Sequence, residues 1–135
     1  MGPLGGDELN LIKPGFNYGW PVITFGREYS GGKIGEGSSK VGMENPVAYW
    51  VPSISPSGLT IYSGAVFPKW KGNLFFGNLG GQHLRRIVLD GQKVIKQEEL
   101  LKNQGLRIRN VRSGPDGNLY FSTDDGKLAR LIPST

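Results

Sequence analysis

The chain has 135 residues with a formal net charge of +5, long enough for one domain with a real core and too short for two of ordinary size. No cysteine is present, which excludes a disulfide framework and thiolate metal sites. Its apolar runs are only a few residues long, so no membrane span is expected. Its basic residues are scattered among acids with no nucleic-acid motif or aromatic platform, so no nucleic-acid partner is expected either.

With 37% hydrophobic residues, 20% charged residues, 22 glycines and 9 prolines, the composition suggests short strands punctuated by tight turns, an all-β chain. Residues 1–58 read as a loop-rich segment leading into the first full sheet. Gly-rich and polar stretches alternate there with small aromatic clusters, and no helical period is sustained. Loops as long as residues 29–42 are usually functional or disordered, so this stretch is expected to rim a site. Alternation and turn residues then predict strands at 59–62, 74–78, 84–89 and 93–101, with Asp90-Gly91 closing a hairpin between the last two. Residues 59–101 thus form one four-stranded unit. Residues 102–135 supply three strands, at 111–113, 119–122 and 127–132, with the last two joined by Asp125-Gly126. The whole is read as one domain.

These units are copies of one another. Gly72-Asn73-Leu74-Phe75-Phe76 is echoed by Gly117-Asn118-Leu119-Tyr120-Phe121, a period of about 45 residues that is the spacing of β-propeller blades. Pro56-Ser57-Gly58 and Pro115-Asp116-Gly117 each set a turn ahead of a copy. The second copy is one strand short. Its open edge and uncovered faces predict a partner, either further blades of the same polypeptide or copies of this chain in a homo-oligomer such as a trimer. A self-assembling or partner-binding propeller module without catalysis is the alternative to an enzyme.

The segments Gly2-Pro3-Leu4-Gly5-Gly6-Asp7-Glu8-Leu9-Asn10 and Asn17-Tyr18-Gly19-Trp20-Pro21 resemble the text of the soluble glucose/sorbosone dehydrogenase family. So do Tyr49-Trp50-Val51-Pro52-Ser53-Ile54, Leu74-Phe75-Phe76-Gly77-Asn78-Leu79, Arg107-Ile108-Arg109-Asn110-Val111 and Gly114-Pro115-Asp116-Gly117, in the family's order. The resemblance covers nearly the whole chain, as the C-terminal portion of a family member. It implies part of a six-bladed β-propeller that uses pyrroloquinoline quinone (PQQ) and calcium to oxidise an aldose sugar at the anomeric carbon to a lactone. The full-length protein would be periplasmic or secreted, with its export signal outside this chain.

Residue by residue, the resemblance implies that the carbonyls of Gly2 and Pro3 ligate the calcium associated with PQQ, a use that suits a hard cation. Read without the family, Gly2-Pro3 is an ordinary turn. Asp7, Glu8 and Tyr18 match a second, structural calcium site; without the family, the two acids are a solvated turn. Arg107 and Arg109 alternate, which puts both on one face of an extended segment, where they could pair with carboxylates or with the oxygens of a reduced quinone. They match two arginines close to the cofactor. Ser53 matches a hydroxyl that hydrogen-bonds PQQ, and Tyr49 and Trp50 match rings that line the cleft.

Two positions depart from the pattern. Met1 stands where the family has a polar cofactor contact, and is expected to mark an imposed start. Gly80 stands where many relatives have a cofactor-contacting lysine. The family's catalytic histidine lies upstream of the residue matching Gly2, so no catalytic residue is assigned in this chain, and the chain alone is expected not to turn over. His83, the lone histidine, reads as a surface or packing residue.

Overall fold

The computed structural model describes residues 1–134, which divide into two compact units meeting in sequence between Ser55 and Pro56. In the first unit only β1 (Asp7–Leu9) and β2 (Ala48–Trp50) are regular, pairing antiparallel with Asp7 opposite Trp50 and Leu9 opposite Ala48. Strands of three residues are too short to leave an alternation signature, which is why sequence reading sees only loops here. The remainder is tied by scattered backbone bonds. Leu4 N–H donates to Arg27 O at 3.1 Å, Thr24 N–H to Gly37 O at 2.8 Å and Val47 N–H to Leu9 O at 2.8 Å. Ile23 and Ile34 are buried, and Phe25 stacks on Tyr49 with ring centroids 3.7 Å apart.

The second unit holds two antiparallel sheets. The first runs in the order β3 (Pro56–Ile61), β4 (Leu74–Asn78), β5 (His83–Asp90), β6 (Lys93–Leu100). The second runs β7 (Ile108–Ser113), β8 (Leu119–Thr123), β9 (Leu128–Leu131). A single 3-10 turn, Pro68–Trp70, interrupts the chain between β3 and β4. No helix among the described residues is long and apolar enough to cross a membrane.

Two strands begin earlier than alternation predicts, each for the same reason. Register shifts between Pro56 and Leu59 and between Ile108 and Asn110, so the two-residue period is broken where the strand begins and becomes readable only beyond the irregularity. Proline at the head of β3 is tolerated because a strand's first residue need not donate to the ladder.

Burial follows strand position. Every residue of β4 is buried, whereas the edge strand β6 is mostly exposed. The core joins Phe75 and Leu84 of the first sheet to Ile108, Val111, Leu119 and Phe121 of the second, with Tyr62 among them. Each such side chain, fully buried, contributes roughly 1.5–3 kcal/mol from removal of apolar surface from water. Polar bonds fix the two sheets to each other. Ser57 Oγ donates to Ile108 O at 2.6 Å. The Tyr62 hydroxyl donates to Gly117 O and accepts from Phe67 N–H. Gly77 is required by this approach, since a Cβ there would sit 2.6 Å from both Ile108 Cγ2 and Ser57 Oγ.

The basic residues of β5 are matched by acids directly across the ladder. Arg85 faces Glu99 with a 3.0 Å ion pair, and Arg86 faces Glu98 with one of 2.6 Å. Arg86 also donates through Nε to Asn73 Oδ1 and lies over the Trp70 ring. These pairs account for part of the scatter of charge along the sequence.

Candidate functional site

At the N-terminal end of β1, the pairing with β2 holds Asp7 at the centre of a small network. The side chain is fully buried. Oδ1 accepts from Gly2 N–H at 2.7 Å, and Oδ2 accepts from the Ser53 hydroxyl at 2.7 Å and from Ile54 N–H at 2.9 Å. Ser53 Oγ in turn accepts from Ser55 N–H at 3.1 Å. One carboxylate therefore joins the Gly2-Pro3 turn to a segment 46 residues away. Gly2 has no room for a side chain, because a Cβ there would lie 2.0 Å from Gly5 O.

Beside this network lies a cleft of about 290 Å³ whose walls include Gly2, Gly6, Glu8, Asn10, Tyr18 and Trp20. The cleft thus brings together Gly2, Glu8 and Tyr18 of the residues expected from sequence; Asp7 stands behind it. Glu8 Oε2 accepts from Asn10 Nδ2 at 3.1 Å, and Asn10 Oδ1 is buried without a hydrogen-bond partner. An unpartnered amide oxygen next to a carboxylate fits the oxygen donor set of a hard cation. Asn10 is the residue sequence reading missed, although it closes the quoted Asp7-Glu8-Leu9-Asn10 run. The Tyr18 hydroxyl donates to Leu11 O and accepts from Lys13 N–H. Its side chain is thereby occupied in holding the turn, so any metal role falls to its main chain. No group of three or more His, Cys, Asp or Glu side chains gathers among the described residues. A cation here would rely on the Glu8 carboxylate together with main-chain and amide oxygens, a donor set that fits calcium and not a thiophilic or imidazole-seeking metal.

In the second unit, Arg107 and Arg109 do share a face, and what they share there is Asp124. Arg107 Nε donates to Asp124 Oδ2 at 2.9 Å and Arg109 Nε to Oδ1 at 2.8 Å. Arg107 also reaches Leu79 O at 3.2 Å, in the turn that carries Gly80. The two guanidiniums, Arg107 first, hold the Asp124 carboxyl below the usual aspartate range. Both arginines are exposed, so each has donors left for an anionic ligand. Asp124 is the partner that sequence reading did not assign. His83, read as a surface or packing residue, is buried at the start of β5, with Nδ1 2.9 Å from Gly81 O. A carbonyl only accepts, so Nδ1 carries the proton. Burial, the largest influence, pushes the pKa of the ring down.

Short antiparallel meanders of three and four strands, packed face to face through a shared apolar core, are blades of the β-propeller class. The chain belongs to the Glucose / Sorbosone dehydrogenase family, whose model matches residues 1–130. It is 43% identical over 136 aligned positions to the aldose sugar dehydrogenase YliI of Escherichia coli, covering 98% of this chain and 37% of that protein. A crystal structure of glucose dehydrogenase superposes with a TM-score of 0.95 at 49% identity, over 99% of this chain and 40% of that one. The PQQ-bound form of aldose sugar dehydrogenase from Streptomyces coelicolor superposes at 0.62 with 32% identity, over 86% of this chain and 30% of that one. The chain therefore spans about a third of the length of the curated relatives it matches.

Proposed function

We propose that this chain is the C-terminal portion of a quinoprotein that oxidises aldose sugars at the anomeric carbon to lactones with PQQ and calcium. The observation that carries the reading is the cleft in which the Gly2 turn, Glu8 and the unpartnered Asn10 oxygen converge, in a chain whose family is that of sugar dehydrogenases. The PQQ-bound Streptomyces relative supports the choice of cofactor.

In this reading the carbonyl oxygens of Gly2 and Pro3 hold the cofactor-associated calcium. Glu8, Asn10 Oδ1 and the main chain at Tyr18 hold a second ion. Arg107 and Arg109 exchange part of their grip on Asp124 for the anionic oxygens of the cofactor and steady the charge that develops there. The Leu79 carbonyl keeps the Arg107 guanidinium oriented as this happens. When bound, PQQ would supply a hydride acceptor and calcium the charge that polarises it. Ser53 directs its hydroxyl proton to Asp7, so toward a cofactor it offers lone pairs only. In this reading the base that takes the sugar proton is the family's catalytic histidine, upstream of the residue matching Gly2, and His83 does not replace it because it is buried and donates to Gly81. This chain alone is then expected to bind ligands without turnover, since losing a general base removes a factor of about 10² to 10⁴.

The test is dye-linked aldose oxidation by the full-length protein, with and without added calcium and PQQ. Activity that needs both, and that falls in Arg107→Ala and Arg109→Ala, supports the assignment. A folded full-length protein that oxidises no aldose with both ligands present overturns it.

A further inference from the structure

We propose that Asp7 is a positioning residue rather than a calcium ligand, fixing the Gly2-Pro3 turn and the Ser53-Ile54 backbone in the arrangement that admits the cation. The proposal rests on the calcium and PQQ reading above. Its starting point is the direction of the hydrogen bonds. An ionised carboxylate offers about four lone-pair sites over its two oxygens. Three donors already occupy those of Asp7, from Gly2, Ser53 and Ile54. The side chain is fully buried and lies behind the cleft that Glu8 and Asn10 line. A ligand needs open oxygens facing the ion, and Asp7 directs its oxygens at two backbone amides and the Ser53 hydroxyl.

The same bonds explain why an acid stands there. Hydrogen bonds to an ionised oxygen are shorter and roughly twice as strong as neutral ones. Loops without ladder bonds need such anchors, and residues 1–6 and 51–55 lie outside the two-stranded sheet. Donation from Gly2 N–H fixes the Met1–Gly2 peptide plane from which the Gly2-Pro3 turn departs. Ser53 acts through Asp7. Its one hydroxyl proton goes to the carboxylate and one of its lone pairs receives Ser55 N–H, which makes it a link in the network rather than a donor to a bound ligand.

The experiment uses the full-length protein, with amide hydrogen exchange read by NMR and calcium binding read by calorimetry with calcium chloride. Asp7→Asn keeps the shape of the side chain but turns one acceptor into a donor facing other donors. It is expected to speed exchange at the Gly2 and Ile54 amides and to weaken calcium binding by about 10- to 100-fold, the usual effect of removing a group that orients metal ligands. Ser53→Ala, a milder change, is expected to speed exchange at Ser55 and Ile54 and to lower calcium affinity less. Glu8→Gln is expected to weaken calcium binding while leaving Gly2 and Ile54 protected.

Unchanged protection of Gly2 and Ile54 in both Asp7→Asn and Ser53→Ala overturns the network. Lost protection with unaltered calcium affinity overturns the role in positioning. A folded full-length protein that takes up no calcium overturns the functional reading and the ligand half of this proposal together, while the exchange data still decide whether the network exists.

Discussion

At the scale of single residues, the side chains that matter are defined by what they touch. His83 illustrates this. Its folded pKa is depressed by burial below the ordinary 6.5, so the unfolded chain binds the proton more readily. Stability from this group is complete above 6.5 and is lost as pH falls below it. Denaturant midpoints measured from pH 7.5 to 5 should fall with pH, and the slope should shrink in His83→Gln. Asp124 is displaced in the same direction for another cause. Its carboxyl is held low first by Arg107 and then by Arg109, so an NMR titration should place its midpoint below 3.8, rising toward that value in Arg109→Ala. Arg107 and Arg109 were legible in sequence because a two-residue spacing in an extended segment places them together. Their partner, in the turn after β8, could not be read because nothing local pairs it with β7.

At the scale of elements, the sheets were largely readable, as the hairpin at Asp90-Gly91 shows. β5 ends at Asp90 and β6 begins at Lys93, with Asp90 paired to Lys93, so the two turn residues are Gly91-Gln92, one position beyond the expected Asp-Gly pair, with Gly91 supplying the positive φ that such a turn needs. The errors fall where the ladder is irregular, at the starts of β3 and β7, and where strands are too short, at β1 and β2. Gly77 shows what an element owes to its neighbour. It looks like an ordinary strand glycine, yet the β7 backbone leaves it no space. Gly77→Ala is expected to destabilise by about 1–3 kcal/mol, the usual cost of overpacking, read as a lowered urea midpoint at unchanged m-value. Tyr62→Phe should cost about 1–3 kcal/mol as well, because the Gly117 carbonyl and Phe67 amide lose a buried partner.

At the scale of the molecule, ligand binding and stability are linked. If calcium occupies the cleft lined by Glu8 and Asn10, it stabilises the folded chain by mass action, by about 2.7 kcal/mol at a hundred times its dissociation constant. Thermal melts with calcium and with a chelator should differ accordingly, and Glu8→Gln should narrow the gap. The all-β class, the blade repeat, the family and most strand positions were determined by sequence, because alternation, turn residues and family motifs are local patterns carried by consecutive residues. What only the tertiary structure decided is which polar groups meet. Asp7 could be read from its neighbours as one of two adjacent acids available to a metal, but Ser53 and Ile54 lie across the first unit and take its oxygens when β1 pairs with β2. Asn10 was in plain view in the motif, and only folding left its oxygen buried and unpartnered. Hydrogen-bond partners distant in the chain are chosen by packing, and packing is the part of the physics that no short stretch of sequence contains.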